Sequence, residues 1–310
     1  MLMLTDFLES QCLKVCPRSV VQSDLELDMF GGEFIGQCSP LFRWAGGKTQ
    51  LLSAIQFYAP KTYKAYYEPF IGGAALLFAL MPNKCVINDV NPVISTFYRV
   101  VRDNYCDLVC LLDTLEKLPD TEEIFLNLRG IFNDYVLHDN FGIETSALFL
   151  YLNAKCFNGL YRVNSKGEFN VGWAKESVKT ALYSKQALKC AHDFFNHSNI
   201  AIMNGDFMEC TEICSENDFV YFDPPYVPVD SVKNFTSYDK SGFTLEDQER
   251  LAKEFKRLTG LGVKCMLSNS ESDLVLDLYS EYKIRKLGVN YYIQPNSKEI
   301  KRNELLITNY

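Results

Sequence analysis

AYYEPFIGGAALLFALMPNKCVIND, residues 65–89, decides the fold. Residues 65–70 read as a short strand that runs into the glycine pair Gly72-Gly73, and 74–81 form an apolar helix. Residues 84–89 are a second strand that stops on Asn88-Asp89. A strand, a glycine turn, a helix and a strand closed by an acid is the unit of an α/β, doubly wound, mostly parallel sheet. The closing acid, Asp89, stands 21 residues after Glu68, at the strand tip where a bound nucleoside presents its ribose hydroxyls. A nucleoside-containing cofactor is expected there, with a plain packing turn as the alternative on this stretch alone. EPFIGGA is not the dinucleotide fingerprint, and the Glu68 carboxylate would repel a pyrophosphate. A sulfonium or amino group suits the site better, which favours S-adenosyl-L-methionine over NAD.

Outward from that unit, residues 91–104 have helical spacing, with Asn91 as cap and Pro92 in the first turn. From 105 to 197 the pattern changes to long helical stretches around one irregular loop, NGLYRVNSKGEFNVGWAK, 158–175. Strand patterns resume in NIAIMNGDF (199–207), DFVYFDPPY (218–226), GVKCMLSNS (262–270), YKIRKLGV (282–289) and NELLITNY (303–310). Between them lies a helix, TLEDQERLAKEFKRL, whose Thr244 and Asp247 form a capping-box-like start. The sheet domain therefore occupies 39–104 and 198–310, with an insert at 105–197 and a leader at 1–38, either a short docking helix or a disordered lead. There is no internal repeat and no low-complexity segment.

At 310 residues, with 47% hydrophobic and 14% aromatic content, the chain can bury a sizeable core. No run approaches the roughly 20 apolar residues that span a bilayer, and the start, MLMLTDFLESQ, meets acids early, so a cytoplasmic location is expected. The 11 cysteines form no CxxC pair and only three histidines accompany them, so buried reduced thiols are expected and no metal site. The net charge of −8 hides an asymmetry. Residues 107–147 carry nine acids against Lys117 and Arg129. Residues 153–189 carry seven bases against Glu168 and Glu176. Such a run is either a solvated face or a phosphate-binding one.

FVYFDPPYVP, residues 219–228, carries the chemistry. If FVYF is a parallel strand, its carboxyl end opens into the crevice where such sheets bind ligands, and Asp223 stands on that edge. Pro224 and Pro225 fix φ and lack N–H donors, so their carbonyls project rigidly without a local competitor. Tyr226 offers a flat face for stacking. An acceptor carboxylate, a fixed carbonyl and an aromatic platform together match an amino group on a planar ring, adenine N6 or cytosine N4. Two acceptors on its hydrogens pull the nitrogen towards tetrahedral geometry and free its lone pair for attack on a methyl sulfonium. Asp223 then acts by electrostatic positioning more than as a strong base.

DPPY, together with FRWAGGK, YYEPFIGGAALLF, INDVNP, FNGLYRVNSKGEFNV, NGDF, FTSYDKSGFTLEDQERL and ELLITNY, resembles the DNA adenine methyltransferase (Dam) family with the alpha-type motif order, over about residues 40–310. The resemblance implies a Rossmann-like S-adenosylmethionine-dependent methyltransferase with an inserted helical DNA-recognition domain, here 105–197. It implies site-specific methylation of adenine N6 on a flipped-out base in duplex DNA. Asp223, Pro224, Pro225 and Tyr226 become the catalytic turn. Trp44, Lys48, Glu68, Phe70, Gly72, Asp89, Asp206, Phe207 and Asp223 become the cofactor residues. In the insert, Phe157 and Asn158 match the pair that enters the duplex beside the extruded base, and Leu160 and Arg162 match contacts to base edges. Arg43, Lys175, Ser237 and Tyr238 complete the expected DNA contacts. Duplex DNA is the implied partner, with a cognate restriction endonuclease as functional partner, no membrane, and a monomeric or weakly dimeric state.

Two stretches depart from the family pattern. Where GATC-specific members continue with a proline, an aromatic and GRY, this chain has Gly172, Trp173, Ala174, Lys175 and Glu176. GVNYYIQPNSKEIK, 288–301, replaces an arginine-bearing segment. GATC leads, and another palindrome such as CATG stays open. Cytosine N4 and protein glutamine amides are alternative acceptors, disfavoured by Asp at 223 in place of Ser or Asn; a catalytically silent DNA-binding relative is the third reading.

Overall fold

The computed structural model describes residues 3–15, 38–175, 181–226, 243–291 and 300–310. Strands form where the sequence concentrates β-branched and aromatic residues: β1 Tyr66–Glu68, β2 Lys84–Asn88, β3 Asn199–Met203, β4 Phe219–Phe222, β5 Lys264–Ser270, β6 Lys283–Tyr291 and β7 Ile300–Thr308. They make one seven-stranded sheet in the order β3-β2-β1-β4-β5-β7-β6. The β1–β2, β2–β3, β1–β4 and β4–β5 pairs are parallel, and β7 runs antiparallel to both β5 and β6. This is the expected mixed α/β class. From β1 the chain builds outward through β2 to β3 on one side, whereas β4 and β5 lie on the other. The order thus reverses between β1 and β4, and a ligand crevice belongs at the carboxyl ends of those strands.

Contacts divide the described residues into two compact units. The sheet unit lies within Lys48–Ile71, Pro82–Val90 and Asn199–Tyr310. All four residues of β4 are buried, the continuous apolar run that a parallel strand covered on both faces requires. Val220 and Phe222 pack with Cys265, Leu267, Leu251 and Phe255. The helix Leu245–Gly260 begins with the anticipated reciprocal cap between Thr244 and Asp247, worth about 1 kcal/mol. Its Leu251, Phe255 and Leu258 turn inward at helical spacing.

The helical unit lies within Met1–Gly47, Gly72–Met81 and Asn91–Ser198. Among the described residues, five α-helices lie in the chain between β2 and β3: Pro92–Asp103, Tyr105–Leu115, Glu122–Leu137, Ile143–Lys155 and Lys185–His197. Asn91 caps the first by accepting from the Val93 amide, with Pro92 in the first turn. The expected division at 104/105 runs along the chain, whereas packing groups the helices Ala75–Leu80 and Pro92–Asp103 with this unit. Aromatic edges are the physical reason: Phe78 and Tyr98 meet Phe195, and Phe97 meets Phe149, at centroid distances of 5.7–6.0 Å.

Part of the leader is ordered as a helix, Leu4–Ser10, which buries Leu4, Phe7 and Leu8. The Tyr135 hydroxyl accepts from the Leu4 amide at 2.9 Å. Residues 16–37 lie outside the described residues. The expectation of uniformly reduced thiols is corrected: Cys38 and Cys190 form a disulfide with Cα atoms 5.5 Å apart. The bond joins positions 152 residues apart, a pairing that no local spacing encodes. Of the other described cysteines, seven are buried thiols and Cys12 is an exposed one.

Candidate active site

Asp223 is the first residue beyond β4, on the carboxyl edge of the sheet where the strand order reverses. The Lys48 side chain is buried, and its Nζ lies 2.7 Å from Asp223 Oδ1 and 4.7 Å from the Tyr226 ring centroid. Sequence comparison with the family placed Lys48 beside the cofactor; the structure puts its ammonium on the Asp223 carboxylate. Burial pushes the Asp223 carboxyl above the ordinary aspartate range, Lys48 opposes that rise, and Glu304 adds to it. The Tyr226 hydroxyl donates to Glu304 Oε2 at 2.6 Å. Burial first, then the Asp223 and Glu304 charges, raise this phenol's pKa so far that it stays a neutral donor. An ion pair is by itself weak evidence of function. This one fixes a carboxylate at the strand edge.

The two proline carbonyls are not equivalent. Sequence reasoning left both without a competing donor, yet Gln248 Nε2 donates to the Pro225 carbonyl at 3.1 Å. Asn269 Nδ2 donates to Gln248 Oε1 at 3.2 Å, and the Ser270 amide donates to Asn269 Oδ1 at 2.8 Å. Gln248 and Asn269 are buried. Neither residue, nor Glu304, was singled out in the sequence. A legible signal existed for Gln248: it falls on the same helix face as Leu251, Phe255 and Leu258, where an amide is buried only with partners.

Glu68, Phe70, Asp89, Asp206 and Phe207 come together at the tips of β1, β2 and β3. Asn88 is the tie: its Nδ2 donates to the Pro69 carbonyl and to the Gly205 carbonyl, each at 3.0 Å. Its buried Oδ1 has no partner among the described residues. The Ile71 amide also bonds the Asn88 carbonyl at 2.9 Å, and Asn204 holds the Asp89 carbonyl at 2.7 Å. Phe70 stacks on Phe207 at 5.4 Å, with Phe243 edge-on to Phe70. Asp206 caps the helix Phe207–Glu212 and accepts from Arg250 at 3.0 Å. Glu68 is buried and accepts from the Tyr66 hydroxyl at 2.7 Å.

In the helical unit, one buried amide organises the expected reading loop. Asn153 accepts from the Arg43 amide and donates to the carbonyls of Arg43 and Gly159. Gly159 has φ +63°, and a Cβ there would fall 2.5 Å from Arg43 Cδ, so only glycine fits. Arg43, Phe157, Asn158, Leu160 and Arg162 are all exposed around this loop, and Asn158 adopts a left-handed φ of 55°. Val163 and Phe169 bridge across the loop, and Arg162 Nε donates to Asn170 Oδ1 at 2.9 Å. Trp44 covers Gly72, where an added Cβ would lie 2.7 Å from the indole Nε1.

The basic run is thinner than its count implied. Lys155, Lys185 and Lys189 are ion-paired with Asp120, Asp113 and Asp193. Arg162, Lys166 and Lys175 remain exposed. Lys179, Glu176, Ser237 and Tyr238 lie outside the described residues.

The family model "D12 class N6 adenine-specific DNA methyltransferase" matches residues 44–293. The chain is 40% identical over 272 residues to the Type II methyltransferase M1.LlaDCHI of Lactococcus lactis subsp. cremoris, covering 87% of this chain and 95% of that protein. It is 38% identical over 297 residues to the Type II methyltransferase M.MjaIII of Methanocaldococcus jannaschii, covering 88% and 100%. To the DNA adenine methylase of Escherichia coli strain K12 it is 31% identical over 273 residues, covering 86% and 94%.

Proposed function

This chain belongs to the D12 class N6 adenine-specific DNA methyltransferases, and from that membership we propose a site-specific enzyme that methylates adenine N6 of an extruded base within a short duplex palindrome. One observation carries the assignment of roles: an Asp-Pro-Pro-Tyr turn at the strand edge whose carboxylate is held by Lys48 and whose phenol is held by Glu304. The Asp223 carboxylate and the Pro224 carbonyl accept the two amine hydrogens, while Tyr226 stacks on the base. Lys48 keeps Asp223 ionised, so that it remains an acceptor through the reaction. The methylated nitrogen sheds its surplus proton readily, so the turn has only to polarise the amine and need not deprotonate it first.

S-adenosyl-L-methionine fits the residues gathered at the strand tips. Three carboxylates, Glu68, Asp89 and Asp206, suit a cationic methionine moiety and ribose hydroxyls, and the orphaned Asn88 Oδ1 offers a further buried acceptor. When bound, that cofactor supplies an electrophilic methyl group on sulfur. Trp44 and Gly72 are assigned to cofactor binding on the family resemblance.

Base readout is assigned to the helical insert. Phe157 and Asn158 enter the duplex, Leu160 and Arg162 read base edges, and Arg43 and Lys175 contribute contacts, with Ser237 and Tyr238 from the segment outside the described residues. GATC is the leading site and CATG the alternative, because Gly172–Glu176 departs from the GATC-type pattern. A cognate restriction endonuclease is proposed as the functional partner. No helix among the described residues is long and apolar enough to cross a membrane. The proposed setting is the cytoplasm and the proposed state a monomer or weak dimer.

Labelled methyl incorporation, followed by nucleoside analysis and sequence mapping of DNA from an expressing host, tests the proposal. N6-methyladenine in one short motif is expected, and label confined to cytosine would defeat the assignment. Asp223→Ala should abolish incorporation while duplex binding persists; near-wild-type turnover would remove the acceptor role.

A further inference from the structure

We infer that Gln248, oriented by Asn269, is a positioning residue of the methyl transfer. It fixes the Pro225 carbonyl and so presents the Pro224 carbonyl and Asp223 to the amine. This rests on the function proposed above. Both prolines are rigid in φ, and Pro225 also restricts the ψ of Pro224, so the torsion left open in the pair is the ψ of Pro225, and the direction of its carbonyl is set by what donates to it. The donor chain here has a defined sense. The Ser270 amide can only donate, so the Asn269 atom it meets is the carbonyl oxygen Oδ1, and Nδ2 faces Gln248. Gln248 must then present Oε1 to Asn269 and Nε2 to Pro225. The chain thus starts on the backbone of β5, an interior strand of the sheet, and delivers one oriented N–H to the catalytic turn. Both amides are buried, where a reversed orientation would set oxygen against oxygen and leave donors unpaired. With Pro225 engaged, the neighbouring Pro224 carbonyl is the one the turn offers to a substrate.

Steady-state methylation of duplex DNA by the full chain, with Gln248→Met and Gln248→Glu, tests this. Methionine keeps the volume and loses the donor; glutamate keeps the acceptor towards Asn269 but turns a second oxygen on Pro225. Both should lower kcat by about 10- to 100-fold, glutamate more, because a displaced acceptor acts on the chemical step. The KM for S-adenosylmethionine and the thermal shift it induces should stay within about twofold of wild type. Asn269→Ser, which leaves Gln248 present but its amide free to rotate, should lose kcat alone by about 3- to 10-fold, and serves should the Gln248 variants fail to fold. Wild-type kcat in the folded variants, with wild-type enzyme making N6-methyladenine, overturns the inference alone. So does an equal loss in cofactor KM and thermal shift, which would place the defect in the cofactor cradle. A wild type that methylates no adenine overturns the functional proposal and the inference with it.

Discussion

Removing the Lys48 ammonium should expose how strongly the Asp223 carboxylate depends on it. Lys48 is 4% and Asp223 21% exposed, so the pair sits largely out of water. Stranding one partner of a fully buried pair costs about 3–5 kcal/mol. The residual solvent contact of Asp223 puts Lys48→Met near the lower bound, about 3 kcal/mol. Asp223→Asn leaves the ammonium stranded in turn. In Lys48→Met/Asp223→Asn neither charge remains, so the double variant should lose less than the two singles together, with a coupling of at least about 1.5 kcal/mol. Urea unfolding of cofactor-free protein at pH 7, followed by circular dichroism, measures the cycle. Losses that add within about 0.5 kcal/mol would refute the coupling. The same variant carries a kinetic sign. Asp223 must be ionised to accept the amine hydrogens, and its folded pKa is already raised by burial. Activity therefore falls as pH drops through that raised value. Without Lys48 the pKa rises further, so the acidic limb of the Lys48→Met profile moves to higher pH; an unmoved limb would refute the role given to Lys48.

Arg162→Ala should weaken discrimination at one base pair by about 1–3 kcal/mol, whereas Lys175→Ala should mainly flatten the salt dependence of binding. Competition binding with single-base variants checks both, and a uniform loss for Arg162→Ala would end its assignment as a reader. Burial alone would raise the Glu254 carboxyl, but its bonds with Arg257 and Thr211 outweigh this and hold it below the ordinary glutamate range. Its contribution is thus present above the unfolded pKa and lost as pH falls through the folded one. Glu254→Gln should cost about 1–2 kcal/mol at pH 7, and the gap should close as pH falls below 4.5; a pH-independent gap in urea titrations would contradict this. Protein unfolded without reductant should titrate two fewer thiols than after reduction, reflecting Cys38–Cys190. Reduction should lower stability by about 3–5 kcal/mol for so long a loop, and equal thiol counts would exclude the bond.

The sequence by itself determined the strands, the caps and the Asp-Pro-Pro-Tyr turn at the end of β4. Asn91-Pro92, Thr244 with Asp247, and the buried run before Asp223 obey steric and hydrogen-bonding rules acting within a few residues. Motif order likewise marked Glu68, Asp89 and Asp206 as neighbours, because parallel strands present their carboxyl ends on one edge. Only the tertiary structure decided which atoms meet there. Lys48 reaches Asp223, Gln248 reaches Pro225 and Glu304 reaches Tyr226. These partners come from segments far apart in the chain. Their meeting depends on the strand order reversing between β1 and β4 and on β7 inserting antiparallel beside β5, and no local pattern encodes that arrangement.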